Sequence, residues 1–323
     1  MRSKDNLVVR FWGVRGSHPV GGEQFSRFGG NTPCVEIQAG GHTLIFDAGT
    51  GIINLGRALM QSDRNRRDAL HASIFLSHLH HDHTQGLPFF APLYQASTNL
   101  NLFLPDLSNR SPESILADVI GPPLFPVSLR QTAARKHFHA LDGNRTVILG
   151  PEPGQTRLGS VDSQPEGKDT LLVRPLRSYA HPQGVIIYRI EWRNRAVVYA
   201  TDTEGYVNGD RRLVRFARGA DLLIHDAQYR QDHYLGSWEL ASVTQGFGHS
   251  TAAMACKVAA DAGVDRLALF HHDPNYDDAV LEDVQTQARA IFPCSDVARE
   301  GMEIVFSSSS MQSEAQTFRQ LAV

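Results

Sequence analysis

A string rich in histidine and aspartate, placed directly after a short apolar run, constrains this chain more than any other feature. The apolar run Ala72–Leu76 predicts a buried strand, and the pattern H-x-H-x-D-H begins two residues later at His78. In an extended loop start, His78 and His80 place their imidazoles on one side, and Asp82 and His83 follow past a turn. Three imidazoles and one carboxylate suit a borderline metal such as Zn²⁺, which takes nitrogen and oxygen ligands. The string therefore predicts a metal-binding loop at a strand end.

Residues at later strand ends favour a metal site over a histidine-rich surface loop or an adventitious metal tract. These residues are His181, Asp202 and His271. Together with the string they supply seven nitrogen or oxygen ligands, enough for two metals bridged by one carboxylate. Because two-metal sites clamp the attacking and leaving oxygens of a displacement at phosphorus, the set points to phosphoester chemistry.

The remaining pattern predicts strands that alternate with helices, in one domain of mixed α and β class. Predicted strands are Val8–Val14, Cys34–Gln38, Thr43–Phe46, Leu171–Pro175, Val185–Trp192, Ala196–Ala200, Leu222–Ile224 and Leu267–Phe270. Predicted helices are Ile52–Met60, Ser114–Ile120, Ser250–Ala262 with Ser250 as its cap, and a last one capped by Asp277 that runs to about Ile291. We expect residues 1–323 to form a single domain, with an inserted segment around 88–142, an exposed loop around 150–168 and a loose tail from Ser307 onwards.

Composition narrows the class of protein. Hydrophobic residues make up 41% of the chain and charged residues 20%, which are ordinary values for a globular protein. The net charge of −3 gives no basic field for nucleic acid or an anionic membrane, although a local patch could still bind a small phosphorylated substrate.

The apolar runs fall short of the ~20 residues that span a bilayer. The start lacks the apolar core of a signal peptide, and the three cysteines include no CxxC pair. A cytoplasmic protein without a membrane partner is expected.

The chain resembles the metallo-β-lactamase fold superfamily, whose signature is the H-x-H-x-D-H string. The resemblance covers nearly the whole chain and is closest to the phosphodiesterase branch that contains RNase Z and the phosphoribosyl cyclic phosphodiesterases. Besides the string it rests on Phe11-Trp12-Gly13-Val14-Arg15-Gly16-Ser17, Gly29-Gly30-Asn31-Thr32, Phe46-Asp47-Ala48-Gly49-Thr50-Gly51 and His271-His272-Asp273-Pro274. It implies a four-layer αββα sandwich, in which two mixed sheets face each other and metals bind at one rim.

The same resemblance implies a set of metal ligands. One metal would be held by His78, His80 and His181, the other by Asp82, His83 and His271, and Asp202 would bridge them. The cofactors implied are two divalent ions, zinc first, with manganese or iron as alternatives. A β-lactamase proper would carry cysteine at the bridge, so the absence of cysteine near Asp202 disfavours antibiotic hydrolysis. Either His271 or His272 could be the ligand, and alignment on Pro274 favours His271.

Two further motifs supply candidate catalytic residues. The stretch Leu223–Tyr229 resembles the His-Glu-Ala-Thr motif of RNase Z-like enzymes, with Asp226 in place of glutamate. His249 begins a stretch that resembles their His-Ser-Thr motif at a helix start. His249 could donate a proton to the leaving oxygen, and Asp226 or His225 could orient it.

Four residues have further expected roles around the site. Ser250 and Thr251, at a helix N-terminus, offer hydroxyl and N–H groups to a substrate phosphate, and simple helix capping is the alternative. The resemblance makes Asp47 a carboxylate that steadies a ligating histidine, with a plain turn aspartate as the alternative. Asp82, besides binding metal, could orient the attacking hydroxide.

The implied activity is hydrolysis of a small phosphodiester, with a cyclic phosphodiester or cyclic nucleotide favoured. RNA 3′-end processing of the RNase Z type is the alternative, since the segment 88–142 could be mistaken for the arm with which those enzymes grip transfer RNA. Its basic residues are scattered, which disfavours a nucleic acid partner: Arg110, Arg130, Arg135 and Lys136. A non-catalytic metal-binding sensory module is a third reading, and the complete ligand set with His249 speaks against it. A homodimer is compatible with the sequence.

Overall fold

Two large β-sheets form the centre of the molecule. The computed structural model describes residues 5–63, 69–107, 109–205, 209–237 and 243–307, so the tail beyond Ser307, expected to be loose, lies outside the described residues. The strands in chain order are β1 (Leu7–Gly13), β2 (Cys34–Ala39), β3 (His42–Phe46), β4 (His71–Phe75), β5 (Asn99–Pro105), β6 (Arg135–Leu141), β7 (Arg145–Leu149), β8 (Thr156–Ser160), β9 (Leu171–Ser178), β10 (Val185–Trp192), β11 (Arg195–Ala200), β12 (Leu222–Asp226), β13 (Leu267–Phe270), β14 (Ser295–Val297) and β15 (Glu303–Phe306).

Both sheets are mixed. The first has the strand order β15-β1-β2-β3-β4-β5-β6, and its pairs from β3 to β6 are parallel. The second has the order β14-β13-β12-β11-β10-β9-β7-β8, and its pairs from β11 to β14 are parallel. Because parallel strands place their carboxyl ends at one edge, each sheet gathers several loops at a single rim, which is where ligands bind in sheets of this kind.

Helices cover the outer face of each sheet. Their bounds are α1 (Gly51–Asp63), α2 (Pro112–Val119), α3 (Arg211–Ala217), α4 (Gln231–Tyr234), α5 (Ala252–Ala262) and α6 (Asp278–Ile291). Ile52 and Leu55 of α1 pack with Ile74 of the first sheet. Val258 of α5 and Leu281 of α6 pack with the second sheet. The predicted four-layer αββα sandwich is therefore confirmed.

Aromatic side chains fill the space between the two sheets. The Phe75 ring stacks on Phe46 and Phe103, with centroids 5.2 Å and 4.5 Å away, and meets Tyr188 of the opposite sheet edge-on at 5.5 Å. The Tyr188 hydroxyl donates to the carbonyl of Leu76, 2.7 Å away. Apolar contact and this buried hydrogen bond together fix the first sheet against the second just behind the metal-binding string.

Three local expectations need correction. The segment 150–168, expected to be an exposed loop, contains the strand β8, which pairs with β7 in the second sheet. The segment 88–142, expected to be an insertion, supplies β5 and β6 to the first sheet. Helix α5 is capped by Thr251, whose side chain accepts from the N–H of Met254, and Ser250 is not its cap.

None of the helices in the described part of the chain has the length and apolar character needed to cross a bilayer.

Replacing Phe75 by alanine should lower the free energy of unfolding by about 3–5 kcal/mol, because the substitution leaves a cavity between the sheets. Chemical denaturation measured by circular dichroism would check this. The matched control is Val305→Ala on β15, where the side chain is 50% exposed and the expected change is within ~0.5 kcal/mol. Equal losses in the two variants would mean that the aromatic layer is not the packing core.

Candidate metal centre

The candidate ligands lie where strands of the two sheets end at a common rim. His78 follows β4 of the first sheet, whereas Asp202 and His271 follow β11 and β13 of the second. Asp202 and His271 have φ values of 49° and 64°, and Asp47, after β3, has 59°. Non-glycine residues in this left-handed region cost about 1–3 kcal/mol each and occur where surrounding contacts over-determine the backbone. Each strained residue turns the chain sharply at a strand end and places its side chain in the cluster.

One group of predicted ligands surrounds a small space on the side of His78. The Nδ1 of His80 and the Nε2 of His181 lie 3.1 Å apart. The Nε2 of His78 lies 3.6 Å from Oδ2 of Asp202, and that oxygen lies 3.9 Å from Nε2 of His181. Atoms of His78, His80 and His181 therefore form a set that could hold a metal ion.

A second group lies on the other side of Asp202. The Nε2 atoms of His83 and His271 are 3.2 Å apart, and Oδ2 of Asp82 lies 3.3 Å from the first and 3.1 Å from the second. Oδ1 of Asp202 is 3.3 Å from both nitrogens. Each carboxylate oxygen of Asp202 thus faces a different group of candidate ligands.

The spacing and the chemistry of these donors fit metal ions. Tetrahedral zinc with ligands at ~2.0–2.2 Å would separate neighbouring donor atoms by about 3.3–3.6 Å, close to the distances above. The Nε2 of His78 is a buried polar atom without a hydrogen-bond partner among the described residues, which suits a metal ligand. Burial lowers the pKa of His83, but the charges of Asp82, Asp202 and Asp47 outweigh it and raise that pKa well above its usual value. The same negative field attracts a cation.

The outer nitrogens of His78 and His83 are held by one hydrogen-bond chain that ends at Asp47. The Nδ1 of His83 donates to Oδ2 of Asp47 at 2.8 Å. The Nδ1 of His78 donates to Oγ of Ser77 at 3.0 Å, and this hydroxyl donates to the same Asp47 oxygen at 2.8 Å. A protonated Nδ1 leaves Nε2 free to bind metal. These hydrogen bonds therefore favour the tautomer that a metal ligand requires, both in His78 of the first group and in His83 of the second. This is the contact expected of Asp47.

Other outer contacts were not visible in the sequence. The Nδ1 of His181 donates to the carbonyl of Gly248 at 3.1 Å, and the Nδ1 of His271 donates to Oε1 of Gln228 at 2.9 Å. His80 is the exception, since it faces the cluster with Nδ1. Gln228 could have been suspected only from its place in the Leu223–Tyr229 motif, because glutamine carries no metal-site signal of its own.

His249 lies beside both groups of ligands and is tied to Asp226. Its Nδ1 donates to Oδ2 of Asp226 at 2.7 Å, while its ring centroid is 5.0 Å from those of His181 and His271. Burial lowers the pKa of His249, but the charge and hydrogen bond of Asp226 outweigh this and raise it to about 9. The hydrogen bond to Asp226 therefore orients the imidazole of His249 at the edge of the cluster.

The structure contradicts three of the expected roles. The hydroxyl of Ser250 donates to the carbonyl of Thr203 at 2.6 Å and accepts from the N–H of Gly205 at 2.8 Å, so it is not available to a phosphate. Thr251 is buried and its hydroxyl caps α5. His225 is fully buried, and its Nδ1 bonds to the carbonyl of Asp226. His225 therefore does not orient His249, whereas the Asp226 carboxylate contacts its Nδ1 directly.

The family model for the Beta-lactamase superfamily domain matches residues 42–272, which is more than half of the chain and contains every candidate metal ligand. The chain belongs to the β-lactamase superfamily. A protein named Ribonuclease Z from Salinibacter ruber is 28% identical to it over 303 residues, which is 82% of this chain and 85% of that protein.

Solved structures of the superfamily share the fold. The metallo-β-lactamase fold protein YhfI from Bacillus subtilis superposes with a TM-score of 0.64 and 19% identity, covering 94% of this chain and all of that one. A diphosphatase of the PhnP family gives a TM-score of 0.60 and 16% identity, covering 93% of this chain and 98% of that one. As a member of the β-lactamase superfamily with clustered His and Asp ligands, the chain is a metal-dependent hydrolase that binds divalent metal.

His271 and His272 face opposite environments. His271 lies in the cluster, whereas the Nε2 of His272 donates to the carbonyl of Ala298 at 2.9 Å. Burial, helped by the charge of Arg15, lowers the pKa of His272 to about 3, so its imidazole stays neutral. The structure thus places His271, the residue favoured by the sequence, beside Asp82 and His83.

His271→Ala should lose metal affinity, whereas His272→Ala should keep it and lose only thermal stability. The reason is that His271 supplies a donor to the cluster, and His272 supplies a buried hydrogen bond to the backbone. Competition against a coloured zinc chelator would measure the affinity, and thermal melting the stability. The assignment fails if His272→Ala loses metal and His271→Ala retains it.

Proposed function

We propose that this chain is a binuclear phosphodiesterase that hydrolyses a small, cyclic phosphodiester or a cyclic nucleotide. The observation that carries the proposal is the position of Asp202, whose Oδ1 faces His83 and His271 while its Oδ2 faces His78 and His181. A carboxylate shared in this way supports two ions at short separation, which is the arrangement used for displacement at phosphorus.

The proposed cofactors are two divalent ions, with zinc first and manganese or iron as alternatives. The nitrogen and carboxylate donors of the two groups suit zinc, and the five histidines each offer one ring nitrogen to the cluster. Bound ions of this kind acidify water and neutralise charge on a phosphate.

The side chains around the cluster supply orientation and a proton. Asp82 would orient the attacking water, because its Oδ2 is already fixed by the backbone N–H of Ser17 at 2.8 Å. His249 would donate a proton to the leaving oxygen from Nε2, since its Nδ1 is bound to Asp226. General-acid assistance of this kind is typically worth ~10²–10⁴-fold in rate.

The ion pairs and hydrogen bonds of the basic residues in the segment 88–142 support a small substrate. Arg110 pairs with Asp118 at 2.7 Å and Arg130 with Glu113 at 3.5 Å. The Nζ of Lys136 donates to carbonyl and hydroxyl oxygens of its own segment. Because three of the four basic residues of this segment are already partnered and only the exposed Arg135 remains, the segment offers little to an RNA backbone, which needs several free cations.

The names of the relatives favour the second candidate, an endonuclease that processes RNA 3′ ends. The Salinibacter ruber protein named Ribonuclease Z matches over most of its length. The proton donor and the metal ligands would serve either substrate, so the choice depends on what binds around the cluster.

A substrate panel tests the proposal and separates the two candidates. Protein that carries close to two metals per chain by elemental analysis would be assayed on bis(p-nitrophenyl) phosphate, 2′,3′- and 3′,5′-cyclic nucleotides, phosphoribosyl cyclic phosphate and a precursor transfer RNA. We expect the highest kcat/KM on a cyclic ester. Preferential cleavage of the transfer RNA would establish the second candidate, and a fully active protein with a single metal would refute the binuclear site.

The role of His249 predicts a dependence on the leaving group. His249→Ala should keep its metals but lose about 10²–10⁴-fold in kcat/KM on an ester with an alkoxide leaving group. On a p-nitrophenyl ester the loss should be much smaller, because that group departs without a proton. His137→Ala, on the exposed face of β6, is the control histidine. Equal losses on both esters would remove His249 from the role of acid.

A further inference from the structure

Glu204 is a buried carboxylate at the rim of the second sheet, two residues beyond Asp202, and it is 5% exposed. Three donors bind it. The Tyr234 hydroxyl donates to Oε1 at 2.6 Å, the N–H of Gly246 donates to the same oxygen at 2.9 Å, and the N–H of Gly248 donates to Oε2 at 3.1 Å. Hydrogen bonds from backbone N–H groups to a carboxylate are stronger than those to a neutral acceptor, so Glu204 fixes this backbone firmly.

The backbone that Glu204 holds, here called the Gly246–His249 loop, carries two groups of the metal centre. The carbonyl of Gly248 accepts from Nδ1 of His181 at 3.1 Å, and His249 is the next residue. Gly248 has a φ of 91°, and a Cβ at this position would lie 2.3 Å from Nδ1 of His181. The loop therefore rests directly on a metal ligand, with no room for a side chain between them.

The backbone around Glu204 is itself anchored on both sides. Its N–H donates to the carbonyl of Ala180 at 3.2 Å, the residue before His181. The hydroxyl of Ser250 bridges the carbonyl of Thr203 and the N–H of Gly205. The main chain at 203–205 is therefore hydrogen-bonded to the segments that carry His181 and Ser250. These bonds fix the place from which the Glu204 carboxylate holds the Gly246–His249 loop.

We propose that Glu204 is a positioning residue, whose carboxylate holds the Gly246–His249 loop so that His181 presents Nε2 to the metal and His249 faces the leaving group. The inference rests on the proposed roles of His181 and His249. A carboxylate is required because both of its oxygens accept from N–H groups. A glutamine amide of the same shape would turn a donor towards one of them.

The test compares Glu204→Gln with Tyr234→Phe, which removes a donor to the same carboxylate but leaves both loop N–H groups in place. Glu204→Gln should lower zinc affinity by about 10–100-fold in competition with a coloured chelator, as expected when an outer contact of a ligand is lost. It should also reduce activity more on the alkoxide ester than on the p-nitrophenyl ester, in the manner of His249→Ala. Tyr234→Phe should change both quantities by less than about threefold.

Wild-type zinc affinity or a wild-type ratio of the two esterase activities in folded Glu204→Gln would overturn the inference. If thermal melting shows that this variant does not fold, Glu204→Asp takes its place, since it keeps the charge but draws the carboxylate back from the loop. The same two measurements then decide, with a smaller loss expected. Chelator competition needs no substrate, so it gives a result even if the wild-type protein cleaves none of the proposed phosphodiesters.

Discussion

The carboxylate of Asp47 is the interaction on which the rest of this structure depends. It accepts from the N–H and hydroxyl of Ser77, from Nδ1 of His83 and from the hydroxyl of Tyr199, at 2.7–2.8 Å. Ser77 follows a strand of the first sheet and Tyr199 belongs to the second, so one buried side chain ties both sheets to the metal-binding string. Removing it would leave four buried donors unsatisfied, at a cost of about 1–3 kcal/mol each.

The candidate ligands that the sequence predicted lie together in the structure, and most of their signal is local. The string places His78, His80, Asp82 and His83 within six consecutive residues. Its metal-binding character can therefore be predicted without knowing the fold. His271 was preferred over His272 through the resemblance around Pro274 and because it directly follows the strand. The layered fold followed from the same resemblance, and the alternation of strands and helices agreed with it.

What the sequence could not predict depends on contacts between distant segments. Gln228 and Glu204 act through partners far along the chain, and glutamine or glutamate in a loop has no pattern that reveals such a partner. Ser250 was misjudged for the same reason. A serine at a helix start suggests a cap or an anion site, but its hydroxyl is taken by the backbone at 203–205, which only the packed structure brings near. Strand β8 was missed because its polar, exposed sequence resembles a loop.

The strained backbone at the rim shows what holds the centre in place. Asp47, Asp202 and His271 all adopt the left-handed conformation that side chains usually avoid. Each of them is secured by hydrogen bonds or by neighbouring ligands, so the cluster and its surroundings maintain geometries that isolated strand ends would not adopt.

The division of ligands between the two sheets has a consequence for how the protein matures. A chain leaves the ribosome from its N-terminus, so the string at 78–83 emerges nearly two hundred residues before His271. The full set of candidate ligands comes together only once β13, which precedes His271, has joined the second sheet beside the string.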